Sequence, residues 1–238
     1  MAFRSAKQAR IYVGQLAASC YARTVSGDSA LGMLDTTTLC DGAKVFIPDI
    51  EGGSFQVAGP LDADAATDGQ WDALVAQKAA TTPTPITFMP LGPDGAVWLV
   101  EGVDTNFDTS AGVGQTVDWS LAATTTGVLD LNGTVLADNV AVTATANGSA
   151  IDGGASSANG AVFHLHVTAY ATITSDDVTI EDSSTGSSGW ATIATFAQAT
   201  GSTSERVAIT GTIKRYVRIV DTISGSGSIT RHISMARR

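Results

Sequence analysis

The stretch Ile86-Thr-Phe-Met-Pro-Leu-Gly-Pro-Asp-Gly-Ala-Val-Trp-Leu-Val-Glu-Gly-Val103 decides the fold. Two runs rich in β-branched and aromatic residues, Ile86–Leu91 and Ala96–Val103, flank Pro93-Asp94-Gly95. Proline presets the turn dihedral, and Asp and Gly tolerate the tight conformations that follow, so the two runs read as one β-hairpin. The same grammar extends outward. Arg10–Ala17, Lys44–Ile47, Ser54–Val57, Thr116–Ala123 and Val128–Ala137 read as short strands on either side. Ala161–Ile173, Asp177–Glu181, Trp190–Phe196, Arg206–Thr210, Arg215–Thr222 and Ser228–Met235 follow, with Ser183–Gly189 as a flexible turn. Strands at this spacing suggest a small sandwich or jelly roll in the second half.

One helix interrupts the strands. Thr67 and Gln70 match a capping box. Trp71, Leu74 and Val75 then repeat at helical spacing and form one apolar stripe, so a helix is expected over Asp68–Ala80. Pro83 and Pro85 stop it by about Thr82. Asn139–Gly160 is rich in Ala, Asn, Gly, Ser and Thr, which suits a tether. The expected architecture is therefore mainly β. Residues 1–137 form a β-sandwich or barrel with one packed α-helix, and residues 138–238 form a jelly-roll-like β-sandwich.

The 238 residues are enough for a sizeable core, and at 44% hydrophobic residues the chain is not disordered. Charged residues make up only 15%, which suits a surface covered by neighbours. The net charge of −10 is lopsided: residues 1–130 hold 15 acids against 6 bases, and the rest holds 8 against 7. An acidic surface repels phosphate, which argues against sequence-specific nucleic-acid binding but suits DNA that must slide past. Cys20 and Cys40 are too few for a disulfide-stapled secreted domain and read as reduced, partly buried thiols. The first residues, Met-Ala-Phe-Arg-Ser-Ala-Lys7, lack the apolar segment of a signal peptide, and no run approaches a membrane span. Synthesis in the cytoplasm and no membrane partner are the expectations.

No residue set predicts catalysis or cofactor binding. His164 and His166 sit at i, i+2 on a strand and face one way, with Phe163, Leu165 and Val167 facing the other. Two imidazoles on one face are a start for zinc, but only His232 or nearby acids remain as further ligands, so a solvent- or interface-facing row is the reading and no metal is expected. Asp62, Asp64, Asp68 and Asp72 lack the Gly and terminal Glu of a calcium loop. Asp68 and Asp72 suit a helix N-terminus instead. Gly52-Gly53 and Gly153-Gly154 read as turns.

Asp35-Thr-Thr-Thr-Leu-Cys-Asp41, followed by Val45-Phe-Ile-Pro-Asp-Ile-Glu-Gly-Gly-Ser-Phe55, resembles the "D-T-T-x-L-x-D … G-x-x-D/G-G-S" segment of the tail-tube proteins of long-tailed bacteriophages. The expected helix, the Ile86–Val103 hairpin and the strands Thr116–Leu121 and Gly127–Leu136 follow in that family's order, so the likeness covers roughly residues 8–136. Gly160-Ala-Val-Phe-His-Leu-His-Val167 resembles the jelly-roll modules appended to phage tail proteins, and Lys214-Arg-Tyr-Val-Arg-Ile219 is similar to the "R-Y-V-R" strand of discoidin-like carbohydrate-binding sandwiches. The resemblance implies a virion protein made in the host cytoplasm that forms hexameric rings stacked into a tube. It implies tape-measure, tail-terminator and distal-tail proteins as partners, and DNA passing through the lumen. The candidate assembly loop is Asp35, Thr36, Thr37, Thr38, Leu39 and Asp41. His164, His166, Tyr216 and Arg218 are the candidate outward surface of the C-terminal half, with host glycans as a further partner. A carbohydrate-binding adhesion protein is the alternative. A chain ending at Ala137 is expected still to polymerise.

Overall fold

A computed structural model describes residues 8–35, 46–61, 74–75 and 82–238. The fold is mainly β, and every strand pairing is antiparallel. The strands are β1 Arg10–Val13, β2 Thr24–Asp35, β3 Phe46–Pro60, β4 Thr84–Met89, β5 Val97–Ser110 and β6 Asp118–Val142. They continue with β7 Ala146–Asn147, β8 Ile151–Asp152, β9 Ala161–Ser183, β10 Ala191–Thr195, β11 Thr203–Ile209 and β12 Tyr216–Arg237. The Pro93-Asp94-Gly95 hairpin is present as β4 and β5, its turn held by Gly92 N–H donating to Met89 O at 3.2 Å and Gly95 N–H to Gly92 O at 3.1 Å. Of the expected helix, only Leu74 and Val75 are described; both are helical, Leu74 buried and Val75 exposed. The rest of Asp68–Ala80 lies outside the described residues.

The chain divides into two compact units, neither of them a continuous stretch. One combines the stretch ending at Cys20 with Thr84–Leu99 and Asp130–Arg238. The other combines Tyr21–Pro83 with Val100–Leu129. The expected division at residue 137 does not coincide with these units. Strand β6 runs unbroken through that position, and Asn139–Gly160 is not a free tether: it ends β6 and supplies β7 and β8, both paired to β12. Small polar residues there satisfy a neighbouring strand's backbone instead of spanning open solvent.

The larger unit depends on β9 and β12, which pair along their full lengths from Ala161↔Arg237 to Ser183↔Tyr216. Both strands turn a corner midway. Thr172, Gly225 and Gly227 adopt positive φ there, and the register shifts on both sides of Gly225. A Cβ on Gly227 would lie 2.0 Å from Ala171 O, so only glycine fits. On one side of the corner β12 pairs with β7 and β8 and β9 with β10; on the other, β12 pairs with β6 and β9 with β11. The two leaves fold over a core shared by Phe163, Leu165, Ile233 and Met235 from one, and Val178, Ile180, Val217 and Ile219 from the other. Across the corner, the Arg231 guanidinium grips both carboxylate oxygens of Asp221, with Nη2 to Oδ2 at 2.7 Å and both residues buried. Asp176, also buried, lies close enough for burial and the Asp221 charge to push its carboxyl up to about 6.

The second leaf-wall runs β1-β4-β5-β6-β12-β9, and its far face has its own core of Tyr12, Met89, Val97, Leu99, Val162 and Ala236. Thr87 on β4 hydrogen-bonds to side chains of β9, with three strands between them in this order, so this wall curls until β4 and β9 face one another. In the smaller unit, β2 pairs β3, and β3 pairs the first part of β6, over Phe55, Val57, Trp119 and Leu121. Trp119 Nε1 donates to Pro60 O at 3.1 Å.

Two outcomes follow. A chain ending at Ala137 leaves β1 and β4 without the wall they complete; size-exclusion chromatography is expected to show aggregate, and a soluble, strand-rich 1–137 fragment would contradict the interleaved division. Asp221→Ala strands a buried guanidinium and is expected to lower the urea-unfolding free energy by roughly 3–5 kcal/mol, whereas the double change Arg231→Met with Asp221→Leu restores most of it.

Candidate functional site

The sequence candidates separate in space. Asp35 ends β2 opposite Phe46, so the candidate assembly loop joins the two strands of a long hairpin. Thr36, Thr37, Thr38, Leu39 and Asp41 lie outside the described residues, as does Cys40; Cys20 is an exposed free thiol. β2 and β3 pair from Thr24↔Ala58 out to Asp35↔Phe46, but β6 accompanies β3 only over Ser54–Pro60. Thr125 of β6 still donates to the Gly53 carbonyl at 3.0 Å, and beyond Gly53 the ladder is a two-stranded arm among the described residues. At its base the Asp28 carboxylate accepts the Ser54 N–H at 3.2 Å and the Ser54 hydroxyl.

Tyr216 and Arg218 share the outward face of β12, alternating with buried Val217 and Ile219. Neither is idle. Arg218 Nε donates to Glu181 Oε2 at 2.8 Å, and its guanidinium stacks 4.4 Å from the Trp190 ring centroid. Gly186 backs onto the Tyr216 ring, and the Arg215 guanidinium lies 5.1 Å from its centroid. Arg215 is itself clamped by Asp152, with Nε to Oδ1 at 2.7 Å.

His164 and His166 do point the same way, with Phe163, Leu165 and Val167 opposite, but that way is inward: both are 0% exposed. The expectation of a solvent- or interface-facing row is corrected here. Over Ala161–Val167, β9 is a wall shared by two cores, so both of its faces are buried there. His232 joins them, placing all three histidines of the chain in one layer with Tyr12, Thr87, Asp138 and Ser234.

The hydrogen-bond network assigns every proton in this layer. The Gly14 carbonyl only accepts, so His166 Nδ1, 2.6 Å away, carries the hydrogen. Neutral His166 therefore accepts at Nε2, from the Thr87 hydroxyl at 2.8 Å. With its single proton spent, Thr87 Oγ1 accepts from His164 Nδ1 at 3.1 Å. His164 Nε2 is then a bare lone pair, buried and without a hydrogen-bond partner among the described residues. Asp138 Oδ1 accepts from the Tyr12 hydroxyl at 2.8 Å and from His232 Nδ1 at 3.1 Å, while His232 Nε2 accepts from Ser234. The Tyr12 ring stacks on His232 at 4.2 Å and His166 at 5.5 Å.

Burial lowers the proton affinity of all three imidazoles, His166 to about 3. Burial and the Asp138 carboxylate push the Tyr12 hydroxyl well up. The His232 hydrogen bond holds Asp138 below its usual range. Ser234, His232 and Asp138 are connected as in a nucleophilic triad, but Ser234 and His232 are both 0% exposed, so no substrate reaches the hydroxyl in this arrangement. Sequence reading missed the layer because its members come from β1, β4, β6, β9 and β12; the His-x-His inside a continuous apolar run was the one available signal.

No protein-family model and no curated protein matches the sequence. Among solved structures, the chain is similar to a chain of the tail of an empty gene transfer agent particle determined with C6 symmetry (TM-score 0.43, 16% identity, 55% of this chain and 99% of that one). It is also similar to the Dit (gp 19.1) protein of phage SPP1, described as a hub adsorption apparatus (0.41, 10%, 97% and 99%), and to a chain of the phage p2 baseplate in its activated conformation (0.38, 7%, 95% and 97%). These likenesses to tail and baseplate components lie below a TM-score of 0.5 and assign no function by themselves.

Thr87→Val keeps the shape but removes the bridging hydroxyl. It is expected to cost roughly 1–3 kcal/mol for each imidazole nitrogen left unpaired, read from urea unfolding at pH 7.5. An unchanged midpoint would show that Thr87 does not link the histidines.

Proposed function

We propose that this chain is a structural protein of a bacteriophage tail, and more narrowly a subunit that stacks in rings, hexameric in the resembled family, around the path of DNA. The two-stranded arm formed by the outer parts of β2 and β3 carries this reading. A lone two-stranded ribbon is marginal in water, and its free edges are a template for another chain. An arm of this kind gains stability by lying on a neighbouring subunit, the part the resemblance gives to the Asp35–Asp41 loop. The acidic balance of residues 1–130 supports passage of DNA without capture, since rows of Lys or Arg would bind phosphate through counterion release. Tape-measure, terminator and distal-tail proteins are the partners this role requires.

A second reading, glycan binding through the C-terminal half, is favoured by the half-buried Trp190 and Tyr216 beside the hydroxyl-rich turn Ser183–Gly189. The engagement of Arg218 by Glu181 and Trp190 weighs against it.

Negative-stain microscopy and light scattering of the full chain separate the two. Rings or tubes with contacts above roughly 2,000 Å² are expected, and replacing residues 31–50 with a two-residue Asn-Gly turn is expected to give monomers with the strand content of the remaining fold. A chain that stays monomeric at high concentration, even with its tail partners supplied, would overturn the assembly role; glycan binding by that monomer would favour the second reading.

A further inference from the structure

We infer that the buried histidine layer is an acid-release latch for strand β1: its neutral imidazoles hold the strand in place, and protonating them frees it. β1 is a four-residue strand whose ladder, among the described residues, is made with β4 alone. Such a ladder is too short to fix an edge by itself. Buried Ile11 and Val13, the Ser19 hydroxyl on the Ile11 backbone and the Val13–Leu16 bridge add to it, and polar anchors from the histidine layer complete the hold. His166 Nδ1–H donates to Gly14 O directly after β1, and Tyr12 is pinned by its hydroxyl to Asp138, which His232 also holds.

The layer has no place for a further proton. At His166 Nε2 it would face Thr87 Oγ1, which already receives the His164 Nδ1–H. At His164 Nε2 it would find no acceptor among the described residues. At His232 Nε2 it would face the Ser234 hydroxyl, which would have to give up its own bond. Among the surrounding charges only the Asp138 carboxylate favours a further proton, at His232, and there burial outweighs it. Arg10 and Tyr12 come from β1, Cys20 from the turn after it, Asp138 from β6, His164 and His166 from β9, Arg206 from β11 and His232 from β12; β4 contributes the uncharged Thr87. Asp138 is the one carboxylate in this set, and it already serves Tyr12, His232 and Arg10. An imidazolium here would sit desolvated beside Arg206 and the other histidines.

The sign follows from linkage. With β1 detached, the exposed imidazoles protonate near 6.5; with β1 seated they resist it, His166 down to about 3. The seated state therefore keeps its full advantage above pH 6.5 and loses it as pH falls, by about tenfold per pH unit for each histidine that release exposes. Release opens the edge of the second core, to which Tyr12 belongs, while the sandwich core lies on the opposite face of β9, includes no β1 residue and stays closed. A cleft of about 100 Å³ between Arg10, Tyr12, Ser19 and Asn139 already flanks the strand.

Hydrogen–deuterium exchange of the full chain at pH 7.5 and pH 5.0, corrected for intrinsic rates, tests this. Between the two, protection of Arg10–Gly14 is expected to fall by about 30-fold or more, while Tyr216–Thr222 keeps its protection. His166→Asn retains a donor for Gly14 but cannot titrate, and is expected to reduce that fall about tenfold or more. Should that variant misfold, imidazole nitrogen NMR of the wild-type chain reads the same event: the neutral tautomers assigned above at pH 7.5, lost together with β1 protection. Equal protection at both pH values, simultaneous loss in both segments, or a histidine titrating near 6.5 with β1 still protected would each overturn the latch.

Discussion

Everything in the larger unit hangs on one pairing, that of β9 with β12. The two strands hydrogen-bond over about twenty residues, and because both bend at the same place, one ladder serves two leaves. The bend needs residues that tolerate positive φ, and Gly225 and Gly227 supply them. Once bent, each half recruits different neighbours, and the apolar alternation of β9 fills the space between the leaves. The Arg231–Asp221 pair at the inside of the corner is costly to desolvate and weak as a stabiliser in itself. Its value lies in geometry, since only the bent strand brings position 221 to position 231.

The opposite face of the same wall shows how a protein accommodates polarity in its interior. Three imidazoles, a phenol and two hydroxyls are buried beside a half-buried carboxylate, and nearly every donor and acceptor meets its complement. A network of this kind is strong when complete and expensive when broken, which makes it sensitive to single protons and single hydroxyls. It also ties residues from the start of the chain to residues near its end, Tyr12 and Gly14 to His166 and His232. That accounts for a compact unit built from three separate stretches of sequence.

Local chemistry was legible in the sequence where it acts locally. The Pro93-Asp94-Gly95 turn, the two strands it joins, the mainly β class and the alternation of Phe163, Leu165 and Val167 all appear as read. Continuity was not legible. Lys44–Ile47 with Ser54–Val57, Ala161–Ile173 with Asp177–Glu181, and Arg215–Thr222 with Ser228–Met235 each read as two strands, but form β3, β9 and β12. Gly52-Gly53 read as a turn but is passed through within β3, and the glycines at 225 and 227 bend β12 without ending it, because pairing on a neighbour outweighs their intrinsic turn preference. The histidines were misread for a related reason. Alternation shows that two faces differ, but it does not show that the polar one meets water, and here a second core covers it. The engagement of Tyr216 and Arg218 with Gly186, Glu181 and Trp190 was not legible, because it depends on strands and turns beyond β12.

Confining every histidine to the interior leaves the exterior without the side chain whose ordinary range brackets neutrality. With β1 seated, the formal −10 therefore has no surface histidine through which to vary near neutrality. Near neutrality, mutual repulsion between copies is then screened by dissolved salt over the Debye length. Colloidal behaviour and internal protonation are thereby assigned to separate parts of the molecule: ions in the medium set how closely copies approach, while protons act within.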